Sequence, residues 1–140
     1  MIRKLDESLR AKSLTVVRGG ESSVTVFADP VQLRVVISNL LLNSLNASAA
    51  GGSISVECSS REVDSRRSAV LVVHDRGIGL SAIEREHLFD PFFSGRQAGR
   101  GLGFGLCKCW RIIERHGGQI DCESSPETGT TFRVTWPAAG

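Results

Sequence analysis

The sequence predicts an α+β fold in two layers, a mixed sheet covered on one face by helices. Three observations lead there. Short β-rich runs and helical runs are interleaved without the regular strand–helix–strand alternation of a parallel α/β protein. One helical run, after Asp29, is apolar over most of its circumference and so demands a covering layer. The chain closes on two strand-like runs joined by the turn residues Pro126, Glu127, Thr128 and Gly129.

Residues 1–10 read as a polar helical lead-in. Runs 13–17 and 24–28 are β-rich and separated by Gly19, Gly20, Glu21 and Ser22. Asp29 is a good N-cap, Pro30 suits the first helical position, and Gln32 gives a capping-box-like spacing. The helix that follows is expected to be largely buried and to end at Gly51 and Gly52. Runs 53–58 and 69–74 read as strands with a charged, hairpin-like connection over 61–67. Ser81 and Glu84 form a second capping box before a short helix. Residues 89–101 read as a loop rich in Gly and Arg. Residues 104–115 are helical and stop at His116, Gly117 and Gly118. Runs 119–124 and 130–136 complete the strands.

Composition narrows the function. With 140 residues, 41 % hydrophobic and 23 % charged, the chain suits one packed domain. A net charge of +2 is too small to argue for a nucleic-acid partner or an anionic membrane surface, and neither is expected. No apolar run reaches the roughly 20 residues of a membrane span. Cys58, Cys107, Cys109 and Cys122 contain no C-x-x-C pair with matching histidines. They read as reduced thiols acting as small apolar residues, which suits a cytoplasmic protein.

Four groups of residues could carry chemistry. Asn39 and Asn43 lie four apart on one helical face, and Asn46 continues the stripe. Several amides on an otherwise apolar helix imply a shared polar partner, and amide oxygens suit Mg²⁺. A capped or internally bonded set of asparagines fits the same pattern. Next, an apolar strand ends in Asp75-Arg76-Gly77-Ile78-Gly79. The carboxylate can accept from an exocyclic amine such as that of adenine, and the glycines let the backbone approach a flat ring. A strand ending in a glycine turn capped by aspartate reads equally well.

The third group is Gly101, Leu102, Gly103, Phe104, Gly105 and Leu106, which leads into a helix whose N–H groups would attract phosphate. Arg96 and Arg100 lie just upstream and could face a γ-phosphate. The spacing fits neither a Walker loop nor the dinucleotide fingerprint. The fourth is Phe89-Asp90-Pro91-Phe92-Phe93, either the base of a moving loop or plain core.

In order and spacing these four resemble the ATP-binding catalytic domain of sensor histidine kinases. That domain sits in the superfamily that also holds DNA gyrase, the heat-shock chaperone ATPases and the MutL ATPases. SNLLLNSLNAS resembles the N box, DRGIG the first glycine box, LFDPFFSG the F box, GLGFGL the second glycine box, and GTTFRVTWP the closing strands. The match runs from about residue 13 to 137. It implies a Bergerat-type two-layer sandwich with a mostly antiparallel sheet and an ATP lid over about 94–101. It also implies that residues 1–12 are a lead-in or linker and 13–138 the catalytic domain.

The resemblance further implies that ATP and Mg²⁺ are bound. Asn43 would coordinate the metal, with Asn39 one turn earlier and Asn46 toward the phosphates. Asp75 would receive the adenine amine above Gly77 and Gly79, supported through water by Thr131. Gly101 to Leu106 would wrap the phosphates, with Arg96 or Arg100 giving cationic help. Ser44 stands where alanine is usual, Leu102 where threonine is common and Phe104 where leucine is common. The hydrolytic superfamily members place a glutamate where Asn39 stands here, which suits phosphoryl transfer to a histidine over hydrolysis. His74, His87 and His116 match no phosphoacceptor. The expected partners are therefore a histidine-bearing dimerisation domain, placed before residue 1, and a response regulator, with the isolated domain monomeric. A serine kinase of the anti-sigma-factor type and a nucleotide-sensing domain without turnover are the alternatives.

Overall fold

A computed structural model describes residues 15–21, 24, 26, 28–48, 51–63, 65–89 and 104–137. Among the described residues five strands and three helices follow one another as β1 (Thr15–Gly20), α1 (Pro30–Ala47), β2 (Ser53–Val63), β3 (Arg66–Asp75), α2 (Ala82–Glu86), α3 (Phe104–Arg115), β4 (Gln119–Ser125) and β5 (Gly129–Pro137). The strands form one sheet in the order β1-β2-β3-β5-β4. Only β1 and β2 run parallel; the other neighbours are antiparallel. The two-layer α+β expectation holds.

Strand alternation decides which side chains meet the helices. Ile54, Val73, Phe132, Val134 and Trp136 point to the covered face and are buried. Val36, Leu40, Leu106, Cys109, Ile112 and Ile113 meet them from α1 and α3. Leu106, expected beside phosphate, is thus a core residue.

Local signals set several ends. Asp29 accepts from the Val31 amide at 2.8 Å and the Gln32 amide at 3.4 Å, with Pro30 opening α1. Ser81 and Glu84 make both bonds of a capping box, at 3.1 and 3.0 Å. The helix over 104–115 has the expected bounds.

Three expectations are corrected. First, α1 ends at Ala47 rather than at Gly51 and Gly52. Its Ala47 carbonyl accepts from the Ile78 amide at 3.2 Å, and Ser48 turns to extended backbone. A contact with a distant loop ends the helix before its glycines can. Second, α1 is not buried all round: Val31 is 68 % and Leu42 37 % exposed, because sheet and α3 cover only its inner side. Third, the charged stretch 61–67 is mostly strand. The register carries Glu62 opposite Arg67 and Val63 opposite Arg66, with Ser65 at φ 63°. Opposite charges across the pair let the hairpin extend beyond the apolar core. Of the run 24–28, Val26 forms an isolated bridge.

Candidate functional site

The site lies where the C-terminal half of α1, the end of β3 and the start of β5 meet. Asp75 is the last residue of β3 and is fully buried. One carboxylate oxygen, Oδ1, accepts the Gly77 amide at 2.8 Å. The other, Oδ2, is buried with no partner. A buried carboxylate oxygen without a donor is costly, so the arrangement fits a group waiting for a hydrogen-bond donor. Such a donor is what an exocyclic amine provides.

Two glycines hold the loop after Asp75 in place. A Cβ on Gly77 would overlap the Ala47 carbonyl of α1. Gly79 has φ 74°, and a Cβ there would lie 2.6 Å from the Ser125 carbonyl. Both were expected to make room for a flat ring. What they make room for in this chain is backbone, and that close approach locks the Asp75 loop against α1 and the β4–β5 turn.

The asparagine stripe divides. Asn43 is buried and its amide nitrogen has no partner. Ser44, next along the helix, is fully buried with its hydroxyl unpartnered. Asn39 is half-buried and donates from Nδ2 to the Val35 carbonyl at 2.8 Å. It also lies against Cys109 of α3, whose thiol donates to the Val36 carbonyl at 3.7 Å. Burial pushes the Cys109 thiol up to about 12, so it stays protonated and serves as packing between the two helices. Asn46 belongs to the last turn of α1.

One assignment changes. Thr131 was expected to support Asp75, but the register pairs Asp75 with Thr130 and His74 with Thr131. Directly opposed residues share a face, so Thr131 lies on the other side of the sheet, where its hydroxyl meets His74 Nδ1 at 2.7 Å. Thr130 is the fully buried threonine beside Asp75. The structure shows what sets this register: Gly129 has φ 82° and a Cβ there would overlap the Asp75 carbonyl, which places the next residue opposite Asp75. Sequence reasoning also missed Ser124. Its Oγ accepts the Leu80 amide at 2.7 Å and lies 2.8 Å from Thr130 Oγ1.

Arg96, Arg100, Gly101, Leu102 and Gly103 lie outside the described residues, as do Asp90, Pro91, Phe92 and Phe93; Phe104 and Gly105 enter as the first turn of α3. Among the described residues no cluster of three His, Cys, Asp or Glu could hold a metal. No described helix is long and apolar enough to cross a membrane. A groove of about 450 Å³ between α2 and β4, lined by Arg85, Leu88, Phe89, Ile120 and Cys122 among others, contains none of the site residues.

Comparison with known proteins agrees with this geometry. The family model described as histidine kinase-, DNA gyrase B-, and HSP90-like ATPase matches residues 28–140. The chain is 37 % identical over 135 residues to the sensor histidine kinase ZraS of Klebsiella oxytoca, covering 96 % of this chain and 28 % of that protein. It is 34 % identical over 134 residues to the adaptive-response sensory kinase SasA of Rippkaea orientalis, covering 94 % of this chain and 34 % of the relative. It thus spans about a third or less of these curated relatives. Among solved structures it resembles the mycobacterial sensor histidine kinase MprB, with a TM-score of 0.78 and 26 % identity over 97 % of this chain and 90 % of that one. The catalytic domain of the histidine kinase ThkA follows, with a TM-score of 0.76 and 25 % identity over 99 % and 92 %.

Proposed function

Since the chain belongs to the family of histidine kinase-, DNA gyrase B- and HSP90-like ATPases, we propose that it is the ATP-holding part of a histidine protein kinase. In this reading it delivers the γ-phosphoryl group of ATP to a histidine on a separate helical dimerisation domain. A response regulator then takes the phosphoryl group from that histidine.

The observation that carries the reading is Asp75: fully buried, with Oδ1 committed to Gly77 and Oδ2 unpartnered. An adenine amine would fill that place. Asn43 would serve as the magnesium ligand through its amide oxygen, which is of the hard type that Mg²⁺ prefers, while its buried amide nitrogen lacks a partner in the chain. The metal would supply neutralising charge at the phosphates. Asn46 would point to the phosphates, and Arg96 or Arg100 would face the γ-phosphate.

Asn39 supports transfer over hydrolysis. Its amide nitrogen is tied to the Val35 carbonyl, and an amide has no proton-accepting strength with which to activate water. An imidazole nitrogen is already a nucleophile and needs little such activation. It forms the bond to the γ-phosphorus as the bond to the bridging oxygen breaks, and ADP leaves with that electron pair. Positioning and charge then carry most of the rate.

The test mixes the chain with the histidine-bearing domain of its parent protein and γ-labelled ATP. Acid-labile, base-stable label on that domain is expected, with little phosphate released when the chain is alone. Rapid steady-state ATP hydrolysis by the chain alone, abolished by Asn39→Ala, would overturn the transfer reading. Acid-stable label on a serine would move it to a serine kinase.

A further inference from the structure

We infer that Ser124 is a positioning residue that fixes the direction of the Thr130 hydroxyl and so sets the preference of the pocket for adenine over 6-oxopurines. The inference rests on the proposed reading of Asp75 as the anchor of the purine amine.

Ser124 Oγ accepts from the Leu80 amide at 2.7 Å and lies 2.8 Å from Thr130 Oγ1. The Leu80 N–H can only donate, which fixes Ser124 as the acceptor in that bond. Ser124 has one proton of its own, and Thr130 Oγ1 is the acceptor it meets among the described residues. Either hydroxyl could donate across this contact, and we place the Ser124 proton on Thr130 Oγ1, which leaves the Thr130 proton to point elsewhere. Thr130 is fully buried and stands directly across from Asp75. On this assignment the free proton is directed to the side of the hydroxyl away from Ser124, toward the pocket next to Asp75. Donation from the amide into the first hydroxyl strengthens the next bond in the chain, which holds the direction.

The pocket thus presents an acceptor, Asp75 Oδ2, next to a donor, Thr130 Oγ1–H. Adenine offers the matching pair, a 6-amino donor beside the N1 acceptor. Hypoxanthine and guanine offer a 6-oxo acceptor beside an N1–H donor, so both contacts are mismatched. Asp75 rejects the oxo group by charge. The Thr130 share of the discrimination depends on its hydroxyl being held as a donor. Without Ser124 that hydroxyl can turn, accept from N1–H and donate to Asp75.

The experiment measures dissociation constants of non-hydrolysable ATP and ITP analogues by calorimetry on the 140-residue chain, with melting temperatures alongside. The wild type is expected to prefer the ATP analogue. Ser124→Ala should narrow the ATP-to-ITP preference by about three- to tenfold, the worth of one ordinary hydrogen bond. Thr130→Val should narrow it as much, and the double variant should narrow it no further. Ser124→Thr, which keeps the hydroxyl, should restore the preference. Should Ser124→Ala melt below the assay temperature, Ser124→Cys, a poorer donor of similar size, takes its place with the same narrowing expected. Equal weakening for both nucleotides, with the ratio held, would mean that Ser124 only supports the fold and would overturn the inference. A wild type that binds both analogues equally, or neither, would instead bring down the adenine assignment of Asp75, and the inference with it.

Discussion

The helix-covered face of the sheet is built from opposite materials at its two ends. At one end Ala69 pairs with Trp136, and Leu33, Val36 and Val134 complete an apolar lining around a cavity of about 170 Å³. Six residues along β3, about 20 Å away, Asp75 pairs with Thr130 on the same face, beneath a stretch of α1 that carries Asn43 and Ser44. Val36, Val134 and Trp136 at the first end are as deeply buried as Asp75 and Thr130 at the second. Burial is thus no guide to chemistry in this fold. What separates the ends is the number of buried polar atoms left without a partner: Asn43 Nδ2, Ser44 Oγ and Asp75 Oδ2 all belong to the second end. Each costs about 1–3 kcal/mol when unpaired. A cost repeated on adjoining elements is what a binding site looks like before its ligand is counted.

The largest way to break the comparison is at the apolar end. Trp136→Ala removes a ring that is buried and tilted against the His116 ring at 4.7 Å between centroids. A loss of about 3–5 kcal/mol is expected in urea denaturation. Affinity of the folded protein for an ATP analogue should stay within about twofold, because Trp136 lies about 20 Å along the sheet from Asp75 and Thr130. A large drop in affinity would mean that the two ends are coupled.

The second effect is on binding alone. Asp75→Asn keeps the size of the side chain but gives up the charge that would meet the adenine amine. Calorimetric titration should show affinity for an ATP analogue reduced roughly 10- to 100-fold, the range of one hydrogen bond to a charged group. An unchanged affinity would remove Asp75 from the site.

The sequence made the two ends unequally legible, for physical reasons. The caps at Asp29 and Ser81 and the bounds of α3 depend on neighbours in the chain, so local pattern found them. Asp75, at the junction of an apolar strand with a glycine turn, stood out for the same reason. The end of α1 depends on Ile78, thirty-one residues after Ala47, and pattern placed it too late. The choice between Thr130 and Thr131 depends on a one-residue register, which the contact of Gly129 with Asp75 decides. Ser124 joined the site only through a hydrogen bond to Leu80, forty-four residues earlier. The misread residues are those whose role is fixed by a partner on another strand or loop.

The smallest effect bears most directly on why the polar end is tolerated. Ser44 stands fully buried on α1 with its hydroxyl unpartnered, while its own carbonyl accepts the Ser48 hydroxyl at 2.7 Å. A serine inside a helix normally returns its proton to the carbonyl four residues back. Ser44 does not, so its hydroxyl gives the folded chain nothing to offset its desolvation. Ser44→Ala is also a gain in helix propensity. Thermal unfolding without nucleotide should therefore show the variant more stable by about 1 kcal/mol. If the hydroxyl belongs to the site, nucleotide affinity should fall as stability rises, so that saturating ATP analogue protects the variant less than the wild type. A gain in stability with affinity unchanged would place Ser44 in the core and confine the polar end to Asn43, Asp75 and Thr130. A loss of stability would show that the hydroxyl has a partner in the folded chain, and the contrast between the two ends would then rest on Asn43 and Asp75 alone.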